Sequence, residues 1–159
     1  MENLVTDSAA ILEQDNNIQV AYGWMDVGDV ICEKLRLNIP LEAKELLLTN
    51  KLTTMVKMVK LTDDIVLYRR LTQKFDPIIA GRQFNAMSPN VGTEHIYGSF
   101  LVKVIVFRGS NAFYISAWEL INTEVAEQEE KEVLLVPGRF TLCGEQIEEG
   151  EITTYLYNS

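Results

Sequence analysis

One histidine and two cysteines are all that this 159-residue chain offers to imidazole and thiol chemistry. A zinc site needs several such ligands, and Cys32 and Cys143 stand in neither a CxxC nor any other metal-ligand spacing. One cysteine pair cannot build a disulfide framework, so the thiols are expected to be reduced and mostly buried. A Ser-His-Asp triad would have to use His95, and no GxSxG turn is present. Basic residues are also scarce, 14 Lys and Arg against 23 Asp and Glu, for a formal net charge of -9. That balance argues against nucleic-acid binding, which rests on neutralising phosphates, while a few placed arginines still suit a small anion. No apolar run approaches the ~20 residues of a membrane span. The N-terminus, Met1-Glu2-Asn3-Leu4, has no basic stretch and no signal-peptide core. The expectation is a chain with no membrane partner, cytoplasmic or delivered into a host cell by another machine.

What the chain does have is ordinary for a globular protein: 47% hydrophobic and 23% charged residues, without a long linker, repeat or low-complexity tract. We expect one domain over 1–159, with a helical part (1–60) and a β-rich part (64–157), hence an α+β fold with segregated elements. Leu4, Val5, Ala9, Ile11 and Leu12 give an early helical pattern, and residues 29–35 predict another turn or two. Pro40 suits the first position of a helix, and Leu52, Met55, Val56 and Val59 recur on one helical face, with Thr49-Asn50 as a candidate break. Strands are predicted at 65–69, 83–87, 100–107, 112–116, 132–136, 140–143 and 152–157, with Arg108-Gly109-Ser110-Asn111 as a hairpin turn. Their spacing suggests a sandwich or two packed sheets.

The most informative stretch is Glu130-Lys131-Glu132-Val133-Leu134-Leu135-Val136-Pro137-Gly138. Strand alternation points Glu130 and Glu132 the same way, just ahead of a short apolar run. Carboxylates in different environments can take different catalytic roles. Residues 124–132 read equally as a charged, solvated turn leading into a strand.

The order of features resembles the mono-ADP-ribosyltransferases of the Arg-Ser-Glu class, which include clostridial actin-modifying toxins and related viral and bacterial enzymes. The features are a helical start, a strand ending Leu67-Tyr68-Arg69, the segment Phe84-Asn85-Ala86-Met87-Ser88, a long strand, Arg108-Gly109, Tyr114-Ile115-Ser116, and the Glu130–Gly138 segment. The resemblance covers most of residues 28 to 157, and its closing segment is the most specific part.

The resemblance implies N-terminal helices packed on two perpendicular antiparallel β-sheets, NAD as substrate, and no metal. Arg69 would hold the NAD diphosphate or adenosine side, since a guanidinium donates paired bonds to phosphate. Arg70 stands where the family often has glycine, and strand alternation keeps the two arginines from facing the site equally. Ser88 would be the last serine of a Ser-Thr-Ser segment, bound near NAD and orienting the catalytic glutamate. Ala86 and Met87 replace the first two positions, which removes two hydroxyls. Glu132 would stabilise the oxocarbenium-like state through the ribose 2′-hydroxyl. Glu130 would face the nucleophile, and a glutamate there goes with arginine as acceptor. The partner would be a protein modified on arginine. Residues 117–129 would present the target, with Trp118 as an exposed aromatic contact. Tyr97 or Phe100 would stack on nicotinamide, and His95 would be a loop residue. The default is a monomer. Two other readings stand beside this one: an inactive binding or inhibitory module on the same fold, and an unrelated β-rich interaction domain whose acidic surface meets a basic partner.

Overall fold

The computed structural model describes residues 1–90, 100–118, 131–148 and 150–158. The helical part opens with α1 (Glu2–Leu12), which buries Leu4, Ser8 and Leu12. Helix α2 (Asn17–Arg36) is far longer than the turn or two expected, because Val20, Ala21, Trp24, Gly28 and Ile31 carry one buried stripe along it. Helix α3 (Ala43–Lys57) starts three residues beyond Pro40 and is not broken at Thr49-Asn50. Its start is set by Glu45, whose carboxylate accepts the Glu42 amide at 2.9 Å and also takes Lys34 Nζ of α2 at 2.6 Å. Thr49 is buried within the helix, its hydroxyl donating to the Leu46 carbonyl at 2.9 Å.

Seven strands form two sheets among the described residues. The larger sheet has the order β1-β3-β7-β6 and uses β1 (Ile65–Leu71), β3 (Phe100–Val106), β7 (Gly150–Asn158) and β6 (Arg139–Glu148). The smaller has the order β2-β5-β4, from β2 (Asn85–Met87), β5 (Val133–Leu135) and β4 (Phe113–Tyr114). The α+β class and the two sheets agree with expectation. One pairing departs from it: β3 and β7 run parallel.

The 108–111 turn forms, with Gly109 at φ 87°, but it is not a hairpin. Strand β3 already carries β1 on one edge and β7 on the other. The following chain is instead pinned to the end of α3 by Asn111, whose amide donates to the Lys57 and Val59 carbonyls. It then joins β5 in the other sheet. There α1 covers its outer edge, with Ser8 Oγ accepting the Tyr114 amide at 2.9 Å. A short helix that the sequence reading left out, α4 (Pro77–Ala80), is capped by Asp76. The core runs through both sheets, and Val133, Leu134 and Leu135 of β5 are all fully buried. Hydrogen bonds join the two sheets. Tyr157 donates its hydroxyl to the Val136 carbonyl at 2.6 Å, and Tyr68 of β1 bridges Ser88 just past β2.

Candidate functional site

The site is assembled on the smaller sheet where it touches β1. Strands β2 and β5 pair as Asn85↔Leu135, Ala86↔Leu134 and Met87↔Val133. Ser88 follows this ladder by one residue on the β2 side, and Glu132 precedes it by one residue on the β5 side. Ser88 is itself locked to Tyr68 by two backbone bonds of 2.7 and 2.9 Å. Its Oγ accepts the Asn90 amide at 3.2 Å, a local turn ahead of the loop, and its O–H remains to donate. Glu132 is half-buried, and its backbone is held on both sides: the carbonyl accepts Ile115 N–H at 3.0 Å and the amide donates to Ser116 Oγ at 2.9 Å.

Arg69 is exposed on β1, and its Nη1 donates to the Ala86 carbonyl at 3.3 Å. The guanidinium therefore lies over β2. Helix α2 closes the other side. Its Cys32 thiol donates to the Phe84 carbonyl at 3.5 Å, and Trp24 packs on Phe84 with ring centroids 5.0 Å apart. Burial pushes the Cys32 thiol up to about 11, against the opposing pull of the Arg36 and Arg69 charges. Arg82 adds a third nearby, with Nη1 at 3.5 Å from the Arg36 carbonyl. Gln83 stands just ahead of β2. Its Nε2 donates to Asn85 Oδ1 at 3.4 Å, while its buried Oε1 has no partner among the described residues.

The arrangement therefore sets the Arg69 guanidinium over β2, with Ser88 one residue past that strand and Glu132 one residue before its partner β5. It can hold an anionic ligand and present a carboxylate to a developing positive charge.

Of the residues singled out from sequence, Arg69, Ser88 and Glu132 come together. Phe100 lies opposite Leu71 at the far end of β1, two register steps from Arg69's partner Val102. Trp118 is not the exposed contact expected. It is half-buried and meets Tyr22 of α2 edge-on at 5.6 Å. Of the cysteines, Cys32 is half-buried and Cys143 is exposed, against the expectation for the second. Glu130, Tyr97 and His95 lie outside the described residues. Sequence reasoning missed Arg36, Gln83 and Cys32. Cys32 falls inside the helical turn predicted over 29–35 and reads there as a buried thiol, Arg36 lies one residue past it, and Gln83 reads only as a strand residue. Among the described residues, no helix is long and apolar enough to cross a membrane.

No protein-family model matches the sequence, and no curated protein does. Solved structures match its fold. Plx2a, an ADP-ribosyltransferase toxin from Paenibacillus larvae, is similar at a TM-score of 0.75 and 12% identity, over 99% of this chain and 92% of that one. C3stau2 from S. aureus, solved with NAD, gives 0.73 and 15% over 99% and 92%. The Clostridium limosum C3 exoenzyme gives 0.72 and 16% over 96% and 90%. The chain has the fold of these ADP-ribosyltransferase toxins.

Proposed function

We propose that this chain, built on the ADP-ribosyltransferase fold, transfers ADP-ribose from NAD to an arginine of a protein and releases nicotinamide. The observation that carries the reading is the convergence of Arg69, Ser88 and Glu132 at the seam between the sheets. They stand there in a fold shared with a toxin solved with NAD.

The residues present fit NAD as a substrate. Arg69 and Arg36 supply two cations for a diphosphate, with Arg69 able to donate paired bonds. Gln83 Oε1, buried without a partner, offers an acceptor to a ligand N–H or hydroxyl. Glu132 accepts from the ribose 2′-hydroxyl and stabilises the positive charge that develops as the bond from ribose C1′ to the nicotinamide nitrogen breaks. The bonding electrons leave with nicotinamide. A guanidine nitrogen of the acceptor then bonds to C1′ and loses a proton. Ser88 keeps an O–H to orient the carboxylate. Glu130, two residues earlier, supports arginine as the acceptor, because a carboxylate holds and polarises a guanidinium. We take residues 1–159 to act together as one catalytic unit, as a monomer, and inside a cell where NAD and the target are found.

The test is nicotinamide release and label transfer from biotinylated NAD in a cell lysate, with wild type beside Glu132→Gln. The expected result is a labelled band, with the variant slower by ~100-fold or more, the scale of losing a preorganised electrostatic partner. Glu130→Gln is expected to keep nicotinamide release and lose transfer to arginine. Label found only on other side chains overturns the arginine assignment. A second reading, an inactive module, is favoured by Ala86 and Met87, which bring no hydroxyl to the seam, Met87 being buried. Absence of NAD binding by calorimetry would select it.

A further inference from the structure

We infer that Ser116 is a positioning residue for Glu132, its hydroxyl holding the backbone from which the carboxylate projects; this rests on the catalytic role proposed above for Glu132. The β5 ladders with β2 and β4 both end at Val133, so Glu132 stands one residue outside regular pairing. A residue in that position ordinarily has slack in its backbone. Here it has none, because the ladder continues by a substitution. In an antiparallel hydrogen-bonded pair, Ile115 and Glu132 would exchange two N–H···O=C bonds. The first is made, Ile115 N–H to the Glu132 carbonyl at 3.0 Å. The second is not, because the Ile115 carbonyl has turned to accept the Trp118 amide at 3.4 Å. Ser116 Oγ takes its place and accepts the Glu132 amide at 2.9 Å.

The hydroxyl thus lets the chain turn away after β4 while Glu132 keeps the anchorage of a paired strand residue. Ser116 is only 3% exposed, so water does not compete for the bond. Loss of the bond would release the first residue of the β5 arm and with it the direction of the Glu132 carboxylate. The ladder pairs Phe113↔Leu134 and Tyr114↔Val133 do not depend on it. Nor does Arg69, which is held on the Ala86 carbonyl. The consequence is specific: chemistry suffers, while NAD affinity and the fold are kept. Misplacing a reacting group by ~1 Å costs on the order of 100-fold in rate.

The experiment measures kcat and KM for nicotinamide release in wild type, Ser116→Ala, Ser116→Cys, Ser116→Thr and Glu132→Gln, with a thermal melt of each. Ser116→Ala is expected to lower kcat ~10- to 100-fold with KM for NAD within about twofold, on the misplacement argument above. Ser116→Thr, which restores a hydroxyl, is expected to recover kcat to within a few-fold. Should Ser116→Ala fail to fold, Ser116→Cys decides. It is close in size but a weak acceptor, and is expected to lose kcat as alanine does. Wild-type kcat in a folded Ala or Cys variant overturns the proposal, as does a KM rise that matches the fall in kcat. A wild type that releases no more nicotinamide than Glu132→Gln overturns the catalytic reading first, and the positioning role with it.

Discussion

Tyr68 and Ser88 exchange both backbone hydrogen bonds, at 2.7 and 2.9 Å, and this single bridge stitches the outer strand of one sheet to the end of a strand in the other. Everything proposed for the site is placed by that stitch. Arg69 follows Tyr68, and Ser88 follows β2, whose partner β5 begins one residue after Glu132.

Arg69 tests the anion-binding end. Its guanidinium is exposed and, among the described residues, donates to the Ala86 carbonyl. Arg69→Ala is expected to weaken NAD binding by about 10- to 100-fold, the range for losing a charge-assisted hydrogen bond. Arg69→Lys should restore only part of it, because an ammonium is a point charge without the paired donors. Calorimetric titration with NAD checks both.

Ser8 tests how far α1 supports the site. Its hydroxyl is fully buried and accepts the amide of the buried Tyr114 on the otherwise open edge of β4. Ser8→Ala leaves that N–H without a partner, an expected cost of about 1–3 kcal/mol. Urea unfolding should show the loss, with an unchanged m-value if the denatured state is unaffected.

Gly81 tests the junction between α4 and the end of β5. Its carbonyl accepts the Gly138 amide at 3.0 Å, and a Cβ at this position would collide with the Gly138 carbonyl oxygen. A backbone atom cannot swing aside as a side chain does. Gly81→Ala should therefore cost about 1–3 kcal/mol, as overpacking does. A melt of the variant at or above the wild-type temperature would contradict this geometry.

The two thiols should separate by reactivity. Cys143 is exposed, and Cys32 is half-buried with its thiol raised from 9.0 to about 11 by burial. At pH 8 a disulfide reagent should label Cys143 fast and Cys32 slowly. The Cys32 rate should climb about tenfold per pH unit until its thiol ionises, since the thiolate is the nucleophile. The sign for stability follows. The fold favours the protonated thiol, so this contribution is whole below pH 9 and is lost as pH rises through about 11. Denaturant unfolding of wild type and Cys32→Ala at pH 7, 9 and 10.5 isolates it.

Much of this was legible along the chain because it is written in local pattern. The 3.6-residue spacing of Leu52, Met55, Val56 and Val59 marked α3, and the unbroken run from Phe100 marked β3. The strand ending at Tyr68-Arg69 and the apolar run after Glu132 were visible for the same reason. The length of α2 was not, because Gly23 and Gly28 and the charged residues between its buried positions dilute the local signal. Nor was the place of Trp118. An aromatic near a charged loop reads as exposed until Tyr22, 96 positions away by number, is found against its ring.

The residue chemistry by itself determined what this protein has to work with: arginines for an anion, paired carboxylates, few ligands for a metal, and enough apolar periodicity for an α+β core. Only the tertiary structure decided which of these meet. The hairpin expected after β3 does not form because both edges of β3 are taken by β1 and β7, partners about 35 and 50 residues distant along the chain, a competition that short-range pattern cannot register. The Tyr68–Ser88 bridge, the reach of Arg69 to the Ala86 carbonyl, and the Ser116 hydroxyl standing in for a backbone carbonyl depend on the same long-range pairing. Each is a hydrogen bond whose partner is fixed by the register of a neighbouring strand, and not by the residues beside it in sequence.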